Sequence, residues 1–288
     1  MNQIFVFSKV VFFLLIFQNS VLCIDKDIFV NLNKNWKIQS SAKVNKTGED
    51  ICTEKFDAKN WYTTSIPKTV LAALVENGVY QDPYYGDNLK SISGYREGRW
   101  LSMPKESPFY PAWWYRKEFE MPEKMTQKNL VLHFDGINYR ANIWLNGKLI
   151  ADTTKVIGMF RRFEFDINQW IRFDQKNVLA VEVFAPGKLP DIKYRTKQLE
   201  ATTGWDDHNP QPPDLNMGLW EDVFITATGP VVMRHPYVST DLDLPDLEKA
   251  SLTVSVKLIN KSDQQIHCVV TGQIENIQFE KPMKLAAW

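Results

Sequence analysis

Cysteine is scarce, with 3 in 288 residues. That is too few to build a small disulfide scaffold. An excess of either charge is also lacking. The 34 Lys and Arg balance 34 Asp and Glu, which excludes a protein whose main work is neutralising nucleic-acid phosphates. Beyond residue 23 no apolar run approaches the ~20 residues of a spanning helix. Neither a P-loop, nor a dinucleotide fingerprint, nor a G-x-S-x-G elbow occurs, so no cofactor is expected. The four His, at 133, 208, 235 and 267, are scattered without zinc-ligand spacing, so no metal is expected either. His133 and His267 fall inside strand patterns and read as structural. Aromatics, by contrast, are plentiful, with 10 Trp, 10 Tyr and 17 Phe. A chain of that content can bury a sizeable core, and its length suits two domains.

Residues 1–23 read MNQIFVFSKVVFFLLIFQNSVLC. One charge, Lys9, precedes an apolar stretch, and a polar break follows before Val21-Leu22-Cys23. The pattern predicts a secretory signal cleaved near Cys23. The chain is therefore expected to be secreted, periplasmic or extracellular, with no membrane contact once the signal is removed. A membrane anchor is one alternative, but the run from Val10 to Phe17 is short for a span; a bacterial lipid anchor on Cys23 is a further one, which the large Leu22 before it fits poorly. Cys52 and Cys268 remain, in different domains, and read as two buried thiols rather than a bridge. Asn45-Lys46-Thr47 and Asn260-Lys261-Ser262 are glycosylation sequons, which matter only in a eukaryotic source.

The apolar period is two almost throughout. Leu130, Leu132 and Phe134 alternate with Val131, His133 and Asp135. Ala141, Ile143 and Leu145 alternate with Asn142, Trp144 and Asn146, and Asn146-Gly147 supplies a hairpin turn to the return strand 148–151. Residues 163–167 and 179–183 repeat the pattern. One apolar and one mixed face suit sheets packed face to face. A single helix is predicted after Pro67, with a stripe of Leu71, Leu74 and Val75 and a stop at Gly78. The fold class is all-β, a β-sandwich.

Residues 80–112 and 186–216 break the alternation and are rich in Pro, Gly, Asp and Trp. Loops beyond ~12–15 residues are usually functional or disordered. The aromatic content favours ordered loops gathered at one edge of the sandwich. Near Gly229-Pro230 new strands begin, at 252–259 and 267–274. The expected domains are a signal at 1–23, a β-sandwich at 26–230 and a second β domain at 231–288. The last falls short of the ~100 residues of an immunoglobulin-type sandwich, so the sequence is read as a fragment that stops inside a domain.

The segment Gly204-Trp205-Asp206-Asp207-His208-Asn209-Pro210 runs on through Asp214 to Met217-Gly218-Leu219-Trp220-Glu221-Asp222-Val223. Carboxylates, an amide and an indole side by side suit a sugar. Carboxylates accept from hydroxyl pairs, and an aromatic face covers the apolar face of the ring. The prolines would hold the loop in shape and lower the ordering cost of binding. The same residues also suit a structural role, with Asp206 and Asp214 capping turns and Trp205 packing locally. A cation site from Asp206, Asp207 and Asp214 is a third reading, poor in ligands.

Those motifs resemble the end of the amino-terminal sugar-binding domain of glycoside hydrolase family 2, in its exo-β-glucosaminidase and β-mannosidase branch. Further pieces are similar: Leu71, Gly78 and Asp82-Pro83-Tyr84-Tyr85-Gly86 with Asn88-Leu89; Trp113-Trp114-Tyr115-Arg116-Lys117-Glu118-Phe119; and Phe134-Asp135-Gly136-Ile137 with 141–147. His208 stands where that branch more usually has Trp. The resemblance implies a jelly-roll, galactose-binding-like sandwich followed by a partial immunoglobulin-like domain. It implies a carbohydrate partner, a β-linked glycoside. It also implies a (β/α)₈ barrel carrying two catalytic Glu, for whose ~250 residues this sequence has no room. No catalytic residue is therefore expected here. Asp207 is the expected substrate-facing carboxylate, with Trp205, Asp206 and Asn209 beside it. A stand-alone carbohydrate-binding or adhesion module is the alternative function.

Overall fold

The structure, a computed structural model, describes residues 3–4, 7–12, 29–97, 103–185, 212–245 and 249–287. The chain divides into two compact units. One is Phe29–Thr126 with Leu130–Thr226; the other contains Gln127–Asn129 and Ala227–Trp288 with the amino-terminal strands.

The larger unit is built on two antiparallel sheets, as the alternation predicts. The six-stranded sheet runs in the order Lys148–Ala151, Arg140–Leu145, Asn177–Phe184, Trp113–Phe119, Trp36–Ser40 and Tyr62–Thr64. The four-stranded sheet runs Phe163–Asp166, Asn129–Phe134, Val223–Thr228 and Phe29–Asn31. Register places Ile38, Tyr115, Val181 and Ile143 in one row across four strands. All four are fully buried, as are Leu132, Phe134, Val223 and Ile225 of the other sheet. Each such side chain contributes about 1.5–3 kcal/mol by leaving water.

The face read as mixed is covered too. The helix Gly48–Ile51, held by a capping box of Thr47 and Asp50, brings Ile51 and Cys52 over the six-stranded sheet. There they join Ala58, Trp61, Trp114, Trp144, Val178 and Ala180 in a second small core. Arg116 lies within this layer, 4% exposed. Its guanidinium donates to the Ile51 and Thr53 carbonyls and to Glu118, so no charge is left unpaired. Burial pushes the Cys52 thiol up to about 11, which keeps it protonated and inert.

Local signals also hold. The helix forms over Val70–Glu76, capped by the Thr69 side chain, and ends before Gly78. Asn146 and Gly147 take φ of 52° and 80°, the double positive φ that a tight two-residue hairpin needs. The one-turn helices Gly48–Ile51 and Asn88–Ser91 were not expected; a single turn carries no apolar stripe to read. His133 is structural as predicted, bonding Thr226 at 2.8 Å and stacking on Phe224.

In the other unit Val231–Leu242 pairs with Lys249–Asn260, and Ile266–Ile274 forms a hairpin with Ile277–Leu285. Gln3–Ile4 and Phe7–Phe12 add antiparallel to Lys249–Asn260. The apolar cluster here is small: Val256, Leu258, Met283 and Leu285. Both Cys52 and Cys268 are free. Cys268 is only half-buried, which corrects the expectation of two buried thiols. It lies on a strand whose inward face is incompletely covered.

Candidate functional site

Trp205, Asp206, Asp207 and Asn209 lie outside the described residues. The structure does describe both ends of the loop that carries them. The chain leaves the six-stranded sheet after Phe184 and is described again from Pro212. Val183 pairs with Trp113, the first residue after the other long loop. Both loops therefore attach at the same end of two neighbouring interior strands of the sheet; the expected ordering of the loop 186–211 lies outside the described residues.

The returning end is fastened by Asp214, which is 0% exposed. One carboxylate oxygen accepts the Leu71 N–H at 2.8 Å, in the first turn of the helix Val70–Glu76. The other accepts the Asn216 N–H at 3.0 Å. This is the turn-capping role. Leu215 and Asn216 follow with φ of 51° and 55°, a left-handed conformation that Asn tolerates and Leu does not favour. Their carbonyls both accept from the Asn138 side-chain amide, at 2.9 and 2.8 Å, which holds the turn.

Gly218–Leu219 then lies between Lys68–Thr69 and Ile137–Asn138 in a three-stranded sheet. Gly218 has φ of 143°, and a Cβ there would meet the Tyr115 hydroxyl at 2.6 Å. Only glycine lets the strand pass so near. Among the described residues, the Tyr115 hydroxyl and the Asn138 Oδ1 atom are buried without a partner at good hydrogen-bond geometry.

Burial dominates the electrostatics. It pushes the Asp214 carboxyl from 3.8 up to about 6, against the pull of the Leu71 and Asn216 amides. Burial, with the Asp214 charge second, also raises Tyr115. The sequence flagged Asp214 as a turn cap but gave no sign of Asn138 or Tyr115, which reach it only through tertiary pairing.

Two further motifs singled out in the sequence carry aromatic groups. Asp82 accepts the Tyr84 N–H at 2.9 Å, and the Asn88 amide donates to the Asp82 carbonyl at 3.0 Å. The Asp-Pro-Tyr-Tyr-Gly motif thus builds its own turn and leaves Tyr84 and Tyr85 81% and 77% exposed. Trp220 meets Phe160 edge-on at 5.8 Å and donates to the Met159 carbonyl. Among the described residues no group of three or more His, Cys, Asp and Glu could hold a metal ion.

The family profile described as glycosyl hydrolase 2 galactose-binding domain-like matches residues 36–221. The chain belongs to glycoside hydrolase family 2. An exo-beta-D-glucosaminidase of Streptomyces avermitilis is 33% identical over 252 residues, covering 88% of this chain and 25% of that protein. A mannosylglycoprotein endo-beta-mannosidase of Lilium longiflorum is 32% identical over 256 residues, covering 83% and 25%. The crystal structure of the Amycolatopsis orientalis exo-chitosanase superposes with a TM-score of 0.74 at 28% identity, covering 90% of this chain and 27% of that one. The family 2 resemblance and the all-β sandwich class are thereby borne out. This family 2 chain spans about a quarter of the length of these relatives.

Proposed function

We propose that this chain is the non-catalytic amino-terminal portion of a secreted family 2 β-glycosidase, and that it supplies a loop to the sugar pocket. The likeness that spans most of this chain but a quarter of each relative carries this reading. It supports reading the sandwich as one domain of a larger hydrolase of O-glycosyl bonds. In that enzyme the barrel holds the two catalytic Glu, and this domain brings Asp207, Asp206, Trp205 and Asn209 toward the sugar. The anchor at Asp214 supports the role, because a loop fixed at its base loses less entropy on meeting a ligand. The relatives are named for glucosaminide and mannoside hydrolysis, and an exo-acting β-glucosaminidase is the activity we assign to the complete protein. The leader 1–23 supports export.

The test is an assay of the complete protein, this chain continued through its barrel, on nitrophenyl β-glycosides of glucosamine, mannose and galactose. Hydrolysis of the glucosaminide in preference to the others is expected. Tight glycan binding by this chain, with no hydrolysis from any continuation of its reading frame, would instead favour the binding or adhesion module.

A further inference from the structure

The two glycosylation sequons stand in opposite surroundings. Asn45 is exposed, and so are Lys46 and Thr47. It lies between the turn Ser41–Lys43 and the helix Gly48–Ile51, in the segment that covers the outer face of the six-stranded sheet. Val44 beside it packs inward on the small core, so the backbone is held while the amide faces solvent.

Asn260 is 6% exposed. Its side-chain nitrogen, the atom that would carry a glycan, already donates to two carbonyls, Gln264 at 2.7 Å and Ala286 at 2.9 Å. Its oxygen accepts from the Ser262 N–H at 3.0 Å and the Ser262 hydroxyl at 2.8 Å. The Asn-Lys-Ser triplet therefore opens a turn between two strands, with the Asn260 amide buried at its base and Lys261 and Ser262 half-buried. A sugar on that nitrogen would leave one N–H for two carbonyls and would need room where none exists.

We propose that Asn45 is an N-linked glycan site of this protein and that Asn260, although a matching sequon, is a structural residue that stays unmodified in the folded chain. The proposal rests on the export reading above. In the reaction, the Asn45 side-chain nitrogen attacks the anomeric carbon of a lipid-diphosphate-linked oligosaccharide. The new N–C bond replaces the C–O bond to the diphosphate. The amide gives up one proton, and the lipid diphosphate leaves. No oxidant or metal of this chain takes part.

The experiment is expression in eukaryotic secretory cells in two arms: the full chain with its own leader, and the full chain behind an added established leader. Soluble secreted protein is treated with peptide N-glycosidase in ¹⁸O-water and mapped by peptide mass. A heavy-oxygen Asp at position 45 and unmodified Asn at 260 are expected. Asn45→Gln should then abolish the mobility shift on deglycosylation, while Asn260→Gln retains it. A glycan at 260 in soluble protein, or an empty Asn45 in the added-leader arm, would overturn the proposal. Because Asn260→Gln removes the buried amide at the base of this turn and could prevent folding, the peptide map of the unsubstituted chain decides that site. Failure of export in the own-leader arm alone would count against the secretion reading and leave the added-leader arm to decide the sequons.

Discussion

Asp214 and Leu71 are 143 residues apart in sequence, and the carboxylate of one accepts the backbone N–H of the other at 2.8 Å. The contact ties the returning end of the loop 186–211 to the first turn of the helix Val70–Glu76. It spends a buried charge on holding a loop base, so its protonation state bears on folding.

Burial holds the Asp214 carboxyl at about 6 instead of 3.8. The folded chain therefore keeps a proton that the unfolded chain loses earlier. The stability linked to this group is fully present below about pH 4 and is lost as pH rises through about 6. At ~1.4 kcal/mol per pKa unit the whole change is about 3 kcal/mol. Other carboxylates, such as Glu76 beside Lys68, are held low and act in the opposite sense. The readout is thus a difference between two proteins. Urea unfolding of the parent and of Asp214→Asn should show the gap moving in favour of the variant by ~2–3 kcal/mol between pH 4 and 6.5. Parallel stability curves would remove Asp214 from this role.

Tyr115 and Gly218 form a second tight relationship at the same place. Among the described residues the Tyr115 hydroxyl has no partner at good hydrogen-bond geometry, so Tyr115→Phe should be neutral or stabilising by up to ~1 kcal/mol. Gly218→Ala puts a methyl group 2.6 Å from that hydroxyl and 2.8 Å from the Lys68 carbonyl, at a φ of 143°. It should cost ~3 kcal/mol or more. The two changes touch one another, so the double variant should lose less than the sum of the singles. Strict additivity in a denaturant double-mutant cycle would show that the strand clashes elsewhere.

The sandwich was legible because its strands carry a period of two and its hairpin carries Asn146-Gly147. The helix was legible because Leu71, Leu74 and Val75 sit before Gly78. The second layer over Trp114 and Trp144 was not. Its outward apolar residues, Trp114, Trp144, Val178 and Ala180, are spread over three strands and alternate there with Arg116, Asn142 and Glu182, so each strand reads as having a mixed face. Asp214 could be read as a turn residue because its partner Asn216 is two residues away. Its link to Leu71, like those of Asn138 and Gly218, depends on long-range pairing that leaves no local pattern. The candidate sugar-site residues, Trp205 to Asn209, stood out by type, since carboxylates and an indole crowd a proline-rich loop.

The two units differ in how completely they bury their strands. In the larger unit whole rows such as Ile38, Tyr115, Val181 and Ile143 are fully buried. In the other, Ile266–Ile274 alternates only between half-buried and exposed, and Val231–Leu242 is exposed over most of its length. Local opening is cheapest where few apolar contacts oppose it. Limited proteolysis should cut within residues 231–287 before residues 29–97 or 113–184, and amide exchange there should be faster by at least tenfold. Equal protection of both units would mean that the half-covered strands are stabilised by something other than their own core.

Asp207 is the residue on which the proposed role of the loop turns. It stands with Trp205 and Asn209 in a segment of the type that binds sugars, between two fixed ends. A carboxylate accepting two sugar hydroxyls, or facing a glucosamine ammonium, makes charge-assisted bonds worth about 1.5–3 kcal/mol each. In the complete enzyme Asp207→Ala should lower kcat/KM by one to two orders of magnitude, by the rule of ~1.4 kcal/mol per tenfold. Asp207→Asn, which keeps one acceptor, should lose less. The midpoint of thermal unfolding should move by no more than ~1 °C, because the carboxylate is expected to support the ligand and not the core. Steady-state kinetics on a nitrophenyl β-glucosaminide and a melting curve measure both quantities. A large fall in stability with the activity loss would make Asp207 a second anchor like Asp214. Glycosidase activity from this chain alone, abolished by Asp207→Ala, would place the chemistry in this domain and overturn its supporting role.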